Sequence, residues 1–327
     1  MITKLSISNF KSIRQLDIDC KKVNLFIGEP NTGKSNILEA LGLLSWSGHP
    51  VDEPLSDYVR FQIMPNLFYD QLLDQEIVIR VLTSDSSDRD LYIGVKSDHS
   101  EFIFHDKGNP IRYLDYEGRP ARAHSLTRTK MPIRFFRFKK LDKYDDKSPG
   151  SLKPPSGANL FSAVLSSKAL RDIMVEFFRK YGLSLVMKAH EGTFELQKKV
   201  DELVFSYPYV LTSDTLQRII FYTVAIASNK DSVLVFEEPE SNAFPYYTKY
   251  LGERIALDET NQFFIATHNP YLLSAIIEKG RKEDVQVFIT YFKDYQTKVK
   301  PLTPDEVSEL MEADPFFNLD RFIEEGQ

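Results

Sequence analysis

The stretch Phe26–Leu41 reads FIGEPNTGKSNILEAL. An apolar run enters a Gly-Lys-Ser turn, and from Gly33 onward Ile37, Leu38, Leu41 and Leu44 recur every three or four residues, the spacing of an amphipathic helix. Gly28-Glu29-Pro30-Asn31-Thr32-Gly33-Lys34-Ser35 fits G-x-x-x-x-G-K-[ST] at every position. The glycines let the backbone wrap closely around phosphate oxygens, and the exposed amides and the helix N-terminus supply partial positive charge. Lys34 is expected to reach the β and γ phosphates of ATP, and Ser35 to place its hydroxyl on Mg2+. Asn36 completes the candidate nucleotide-contacting run.

Upstream, residues 3–28 predict three short strands. Leu5 and Ile7 alternate with polar neighbours, as do Leu16 and Ile18, whereas KVNLFIG is continuously apolar, as a strand buried on both faces should be. Downstream, residues 50–150 change character. QEIVIRVLTSD, DLYIGVKSD, SEFIFHDKGNP with a turn at Gly108–Pro110, and IRFFRFKK all predict strands. Breakers crowd Asp145–Gly157. Residues 158–188 are expected to be helical, with Leu165, Leu170, Ile173, Met174, Phe177 and Phe178 as the core-facing stripe. From residue 210 helix and strand alternate, and SVLVF, NQFFIA and DVQVFITYF predict buried parallel strands.

The 327 residues suffice for one large or two ordinary domains, and 42% hydrophobic with 27% charged residues is globular composition. No apolar run approaches the roughly 20 residues a bilayer needs. The N-terminus alternates like a strand, so no signal peptide is expected, and a single cysteine, Cys20, fits a reducing cytoplasm. The net charge of −6 argues against a surface coated for phosphate binding.

A phosphate loop binds nucleotide, but hydrolysis also needs a carboxylate on the metal and a group that orients water. SVLVFEEPES offers both: four apolar residues, Val233–Phe236, lead into Glu237 and Glu238 at the C-terminal end of a strand, where open α/β sheets place their chemistry. Glu237 is expected to hold Mg2+, directly or through water, and Glu238 to polarise the attacking water. A second strand ends in Thr267-His268-Asn269-Pro270, which places His268 within reach of the γ phosphate or that water.

The order of phosphate loop, EEPES and ATHNP resembles the ABC-type ATPase heads of the SMC, RecF and OLD families. ISNFKSIRQLDID strengthens the likeness, since these heads open on x-N-F-[KR]-S, whose basic residue, here Lys11, lies near the nucleotide. The likeness covers roughly residues 1–48 and 205–292. It implies an α/β P-loop NTPase of ABC-ATPase type with an N-terminal antiparallel β part and a mostly β plus helical insertion. The core is then residues 1–50 and 205–327, and the insertion 51–204.

The resemblance also assigns roles. Glu237 takes the Walker B metal position, Glu238 that of the catalytic glutamate, Ser241–Phe244 the D-loop and His268 the switch histidine; Lys34 joins Glu238 and His268 in the catalytic set. The signature loop corresponds to LTSDTLQR, with Ser213, Thr215 and Gln217 as counterparts; Thr215 stands where glycine is usual, which weakens the expected contact in trans. Gln62 and Gln71 are both open for the Q-loop. In such families two heads sandwich two ATP molecules, so a homodimer that closes on ATP and opens on hydrolysis is implied.

SMC heads carry long coiled coils and OLD nucleases a TOPRIM domain. This sequence has no long heptad array, and the about 35 residues after the last predicted strand are too few for a TOPRIM domain. A nuclease or toxin effector is therefore expected to be a separate protein. Arg119–Lys140 holds eight Lys or Arg, one His and no acid, with Phe135, Phe136 and Phe138 interleaved. It is read either as a DNA-binding groove or as a strand with a solvated charged face. Two functions remain open: an ATPase switch in phage defence or DNA maintenance, or a nucleotide-gated scaffold with little turnover.

Overall fold

The computed structural model describes residues 1–48, 53–85, 88–96, 101–123, 133–312, 316–317 and 319–324. The chain runs through β1 (Ile2–Phe10), β2 (Ile13–Asp19), β3 (Val23–Ile27), α1 (Lys34–Ser47), β4 (Ile77–Thr83), β5 (Asp88–Val95), β6 (Phe102–Asp106), β7 (Asn109–Leu114), β8 (Pro120–Ala123) and β9 (Ile133–Phe136). It continues through α2 (Leu160–Ser166), α3 (Lys168–Arg179), β10 (Ser184–Lys188), β11 (Thr193–Val200), β12 (Leu203–Pro208) and α4 (Asp214–Ser228). β13 (Val233–Glu237), α5 (Pro245–Ala256), β14 (Gln262–Ala266), α6 (Pro270–Lys279), β15 (Val285–Lys293), β16 (Gln296–Pro301), α7 (Pro304–Glu312) and α8 (Leu319–Glu324) complete it. Among the described residues no helix is long and apolar enough to cross a membrane.

A six-stranded sheet in the order β16-β15-β3-β14-β13-β9 forms the centre. Its strands β15, β3, β14, β13 and β9 are parallel, and β16 closes one edge antiparallel to β15. The unbroken apolar runs predicted these strands because both faces are covered: every residue of β3 and β14 is buried. Successive residues feed opposite cores. Leu25, Leu234, Phe236, Phe263 and Ile265 face the cluster under α3–α6. Phe26, Val233, Val235 and Phe264 face a second cluster around α1.

The second cluster is closed by an antiparallel sheet in the order β2-β1-β4-β5-β6-β7-β8. Helix α1 is therefore packed between two sheets. That is why it is apolar nearly all round and buries twelve of its fourteen residues, rather than showing the one-sided stripe of a surface helix. Gln262 pins the layers together: its amide accepts from the Ile2 N–H at 2.7 Å and donates to the Ile2 carbonyl at 2.7 Å.

Several pairings differ from the sequence reading. The strands after residue 50 do not stand apart, since β4 pairs with β1 and carries β5–β8 into one sheet with β1 and β2. IRFFRFKK supplies β9, which joins the central sheet beside β13 rather than the strands that precede it. Residues 184–188, expected to be helical, form β10, the first strand of a small sheet β10-β11-β12. Leu165, assigned to the core-facing stripe, is 47% exposed, because α2 ends at Ser166 and α3 restarts the helical phase at Lys168. The other five stripe residues do pack into or against the core.

Candidate functional site

Parallel register brings the ends of five strands to one edge. Phe236 of β13 lies opposite Ile265 of β14 and Phe136 of β9, while Ala266 of β14 lies opposite Phe26 of β3 and Ile27 lies opposite Ile289 of β15. The residues next along the chain from these register points, Gly28, Arg137, Glu237–Glu238, Thr267–His268 and Thr290, therefore gather at one edge, where an open α/β sheet binds ligands.

The loop Gly28–Gly33 is held from behind as well as shaped for a ligand in front. Gly28 has φ +148°, and a Cβ there would stand 2.3 Å from the Thr290 carbonyl oxygen. Gly33 has φ +98°, and its Cβ would meet the Thr297 hydroxyl at 1.9 Å. Both positions need glycine for backbone conformation and for the close approach of the β15–β16 hairpin. Thr32 completes the brace, donating to the Glu29 carbonyl at 2.9 Å with its hydroxyl 2.9 Å from that of Thr290. Asn36 donates to the Ser12 hydroxyl at 2.7 Å. The Lys34 ammonium is nearly buried and donates to the carbonyls of Gly28 and Glu29, both at 2.7 Å. Burial lowers its pKa, and Glu238 and Glu29 oppose that shift.

Glu237 lies against the start of α1. Burial pushes its carboxyl up, but the Ser35 hydroxyl, Arg137 and Arg60 outweigh this and hold it below the usual range. The Arg137 guanidinium lies 2.9 Å from Oε2 and that of Arg60 3.2 Å from Oε1. A hydroxyl beside a carboxylate that stays ionised is a hard-oxygen pair suited to Mg2+.

Glu238 has φ +43°, outside the ordinary strand region, so its backbone turns sharply at the end of β13. Its N–H donates to the Ala266 carbonyl at 3.0 Å. Its side chain receives the Ser241 hydroxyl at 3.2 Å and faces His268 Nδ1 at 3.2 Å. Both side chains remain half-exposed, as a pair that must meet a water molecule requires.

Sequence reasoning missed the charges beneath this surface. Glu39 of α1 is fully buried, and its carboxylate is ion-paired with Lys11, with Arg60 Nε at 2.7 Å and with Arg137 at 3.3 Å. The signal was present: a lone acid within an apolar helix needs a cationic partner. Lys11, expected near the nucleotide, spends its ammonium on Glu39 and on the Arg60 carbonyl at 2.6 Å. Gln62 and Gln71 are both exposed, and the residue following the strand beside β13 is Arg137.

The expected signature residues form a separate group. Ser213 caps α4, accepting from the Leu216 N–H at 3.3 Å, and Thr215 donates to the Asn242 carbonyl at 2.7 Å, tying this turn to the Ser241–Phe244 loop. Gln217 is buried, its amide donating to the carbonyls of Val210 and Thr212 at 3.1 and 2.9 Å, so its side chain braces its own loop. Among the described residues no hydrogen bond joins these three to Gly28–Asn36.

The basic stretch Arg119–Lys140 does not present its aromatics for stacking. Phe135 and Phe136 are fully buried in the two cores, and Phe138 packs on Phe221 with ring centres 5.7 Å apart. Apolar burial of a strand on both faces outweighs its charged alternation. Arg137 serves Glu39 and Glu237, and Lys140 pairs with Asp214 at 3.2 Å. Residues 124–132 lie outside the described residues.

Residues 1–163 match the family model of the AAA ATPase domain, and residues 199–274 match that described as AAA domain, putative AbiEii toxin, Type IV TA system. No curated protein matches the chain. Among solved structures, the Smc head bound to the C-winged helix domain of ScpA aligns at 15% identity over 94% of this chain and 99% of that one, with a TM-score of 0.59. The SMC head domain from Thermotoga maritima aligns at 15% identity over 92% and 99%, with a TM-score of 0.47, too low to argue from. At such identity the first likeness speaks for the fold, and the two family models for an AAA-type ATPase domain.

Proposed function

We propose that this chain, an SMC-like ATPase head of the AAA/ABC class, hydrolyses ATP slowly and works as a nucleotide-driven switch. The observation that carries this reading is one cluster at one sheet edge: His268 Nδ1 3.2 Å from Glu238, with the Lys34 ammonium and the Ser35 hydroxyl close enough to Glu238 and Glu237 to act on their charges. Lys34 would attract the phosphate tail, and the loop amides would share its charge. Ser35 and Glu237 would hold Mg2+, which screens phosphate charge when bound. Glu238, kept in place by Ser241 and His268, would accept a proton from the attacking water. Arg60 and Arg137 would offset the negative charge of Glu237 and Glu39 and so ease the approach of a polyanion.

The switch would be a homodimer of heads closing on ATP, with Ser213 and Thr215 offered across the interface. It would act in phage defence or DNA maintenance in the cytoplasm, with a separate nuclease or toxin as effector. The family models and the head fold support the ATPase part of this reading; the rest extends from resemblance. Sedimentation of Glu238→Gln with and without Mg2+ and ATP tests the dimer. A mass that doubles only with nucleotide supports it, and an unchanged monomer removes it.

A further inference from the structure

Glu240, the third acid of EEPES, is used by none of the steps above, yet it is among the most enclosed carboxyl groups described, at 2% exposure. Thr267, the first residue past β14, donates its hydroxyl to Glu240 Oε1. The same hydroxyl oxygen accepts the Asn269 N–H at 3.0 Å. One threonine hydroxyl therefore clamps the turn that carries His268 and fastens it to the turn that carries Glu238. Among the described residues the other carboxyl oxygen, Oε2, is buried with no hydrogen-bond partner. An unserved buried oxygen is costly, so this side chain is a poor choice as mere filling.

The two turns are joined at two further points. The Glu238 N–H donates to the Ala266 carbonyl at 3.0 Å, and His268 Nδ1 lies 3.2 Å from Glu238 Oε1. The second of these contacts is made by half-exposed side chains that can swing into water. The Glu240–Thr267 bond is the interior counterpart, shielded from solvent and therefore stronger than a surface bond of the same kind. Burial also raises the Glu240 carboxyl to about 7, with Thr267 and His268 opposing and Glu238 reinforcing the shift. The group therefore holds its proton to higher pH than an exposed carboxyl would.

We infer that Glu240 is a positioning residue: through Thr267 it locks the His268 turn to the Glu238 turn, so that the acid and the imidazole meet the attacking water as one preset unit. This inference rests on the ATPase reading, and on the hydrogen-bond chain Glu240–Thr267–Asn269 rather than on any ligand.

The test compares Glu240→Ala, Glu240→Gln, Thr267→Val and the double variant Glu240→Ala with Thr267→Val. Displacing a catalytic pair by an ångström or less predicts a fall in kcat of about 10- to 100-fold in Glu240→Ala. KM for ATP should stay within about twofold, because the phosphate loop is untouched. Glu240→Gln, whose amide oxygen still accepts from Thr267, should recover most of the loss. The double variant should be no worse than the poorer single. Wild-type kcat in a folded Glu240→Ala protein, or losses that multiply in the double variant, would overturn the lock. A readout free of turnover accompanies it: the His268 ring signals in NMR spectra, recognised by their absence from His268→Gln. They should shift in Glu240→Ala and in Thr267→Val, and the latter carries the measurement if the former does not fold. Unmoved signals overturn the inference. A wild-type protein without turnover but with shifted signals would sink the ATPase reading alone.

Discussion

Replacing Glu39 by Gln should destabilise the fold more than any other single charge neutralisation near the site. The carboxylate is fully buried, Lys11 is 13% exposed, Arg137 28% and Arg60 59%. Removing one partner of a buried ion pair typically costs about 3–5 kcal/mol, because the remaining charge stays desolvated. Here the cost is shared unequally. Arg60 is exposed enough to turn into water, so its part is discounted to the small value of a surface pair. Arg137 keeps Glu237 as a second partner at 2.9 Å. Lys11 keeps the Arg60 carbonyl and the face of the Phe10 ring, neither of them a charge, and carries most of the penalty. The expected loss is therefore about 2–4 kcal/mol, somewhat less than for a pair whose partners have no other contacts.

Urea unfolding at neutral pH measures it, with an unchanged slope required so that the midpoint shift reports stability. Lys11→Met in the Glu39→Gln background should restore part of the loss, because the stranded ammonium is gone. A loss below about 0.5 kcal/mol, or single effects that simply add, would refute the view that Glu39 organises this cluster.

Gly28→Ala should cost about 1–3 kcal/mol from strain at φ +148° and the clash with the Thr290 carbonyl, and thermal unfolding should show it. Gly108→Ala, with φ +84° but no atom within 4 Å, should cost less; equal costs would remove the close-approach argument. The Glu240 carboxyl, raised from 4.5 to about 7, binds its proton more tightly folded than unfolded. Its contribution is full below about pH 4.5 and is lost as pH rises towards 7, with an upper bound on the order of 3 kcal/mol. Stability measured from pH 4.5 to 8 should fall more for the wild type than for Glu240→Gln, and parallel curves would contradict the burial assigned to this group.

The parts of the fold legible in the sequence were those in which a local pattern settles the environment. Val23–Ile27, Val233–Phe236 and Gln262–Ala266 are unbroken or nearly unbroken apolar runs because they lie between two layers, and the runs announce the parallel sheet. Gly28–Ser35 was legible because a left-handed glycine and a Lys-Ser helix start form a motif by themselves. Pairing between distant segments was not. IRFF reads as a strand, but its neighbour β13 lies about a hundred residues away, and only the folded register places Arg137 beside Glu237. The small sheet was hidden for another reason. β12, LVFSYP, is exposed at every residue and so lacks the alternation that marks a half-buried strand. Gln217 had the right spacing for a ligand contact, but spacing does not tell which way a side chain turns, and burial turned it inward.

The most direct measurement is steady-state phosphate release from Mg2+ and ATP by the wild type, Lys34→Ala and Glu238→Gln, with nucleotide binding measured alongside. Turnover in the wild type, lost in Lys34→Ala together with nucleotide affinity and lost in Glu238→Gln with affinity retained, is the predicted outcome. Phosphate release that continues unchanged in Glu238→Gln, or nucleotide binding indifferent to Lys34, would contradict it.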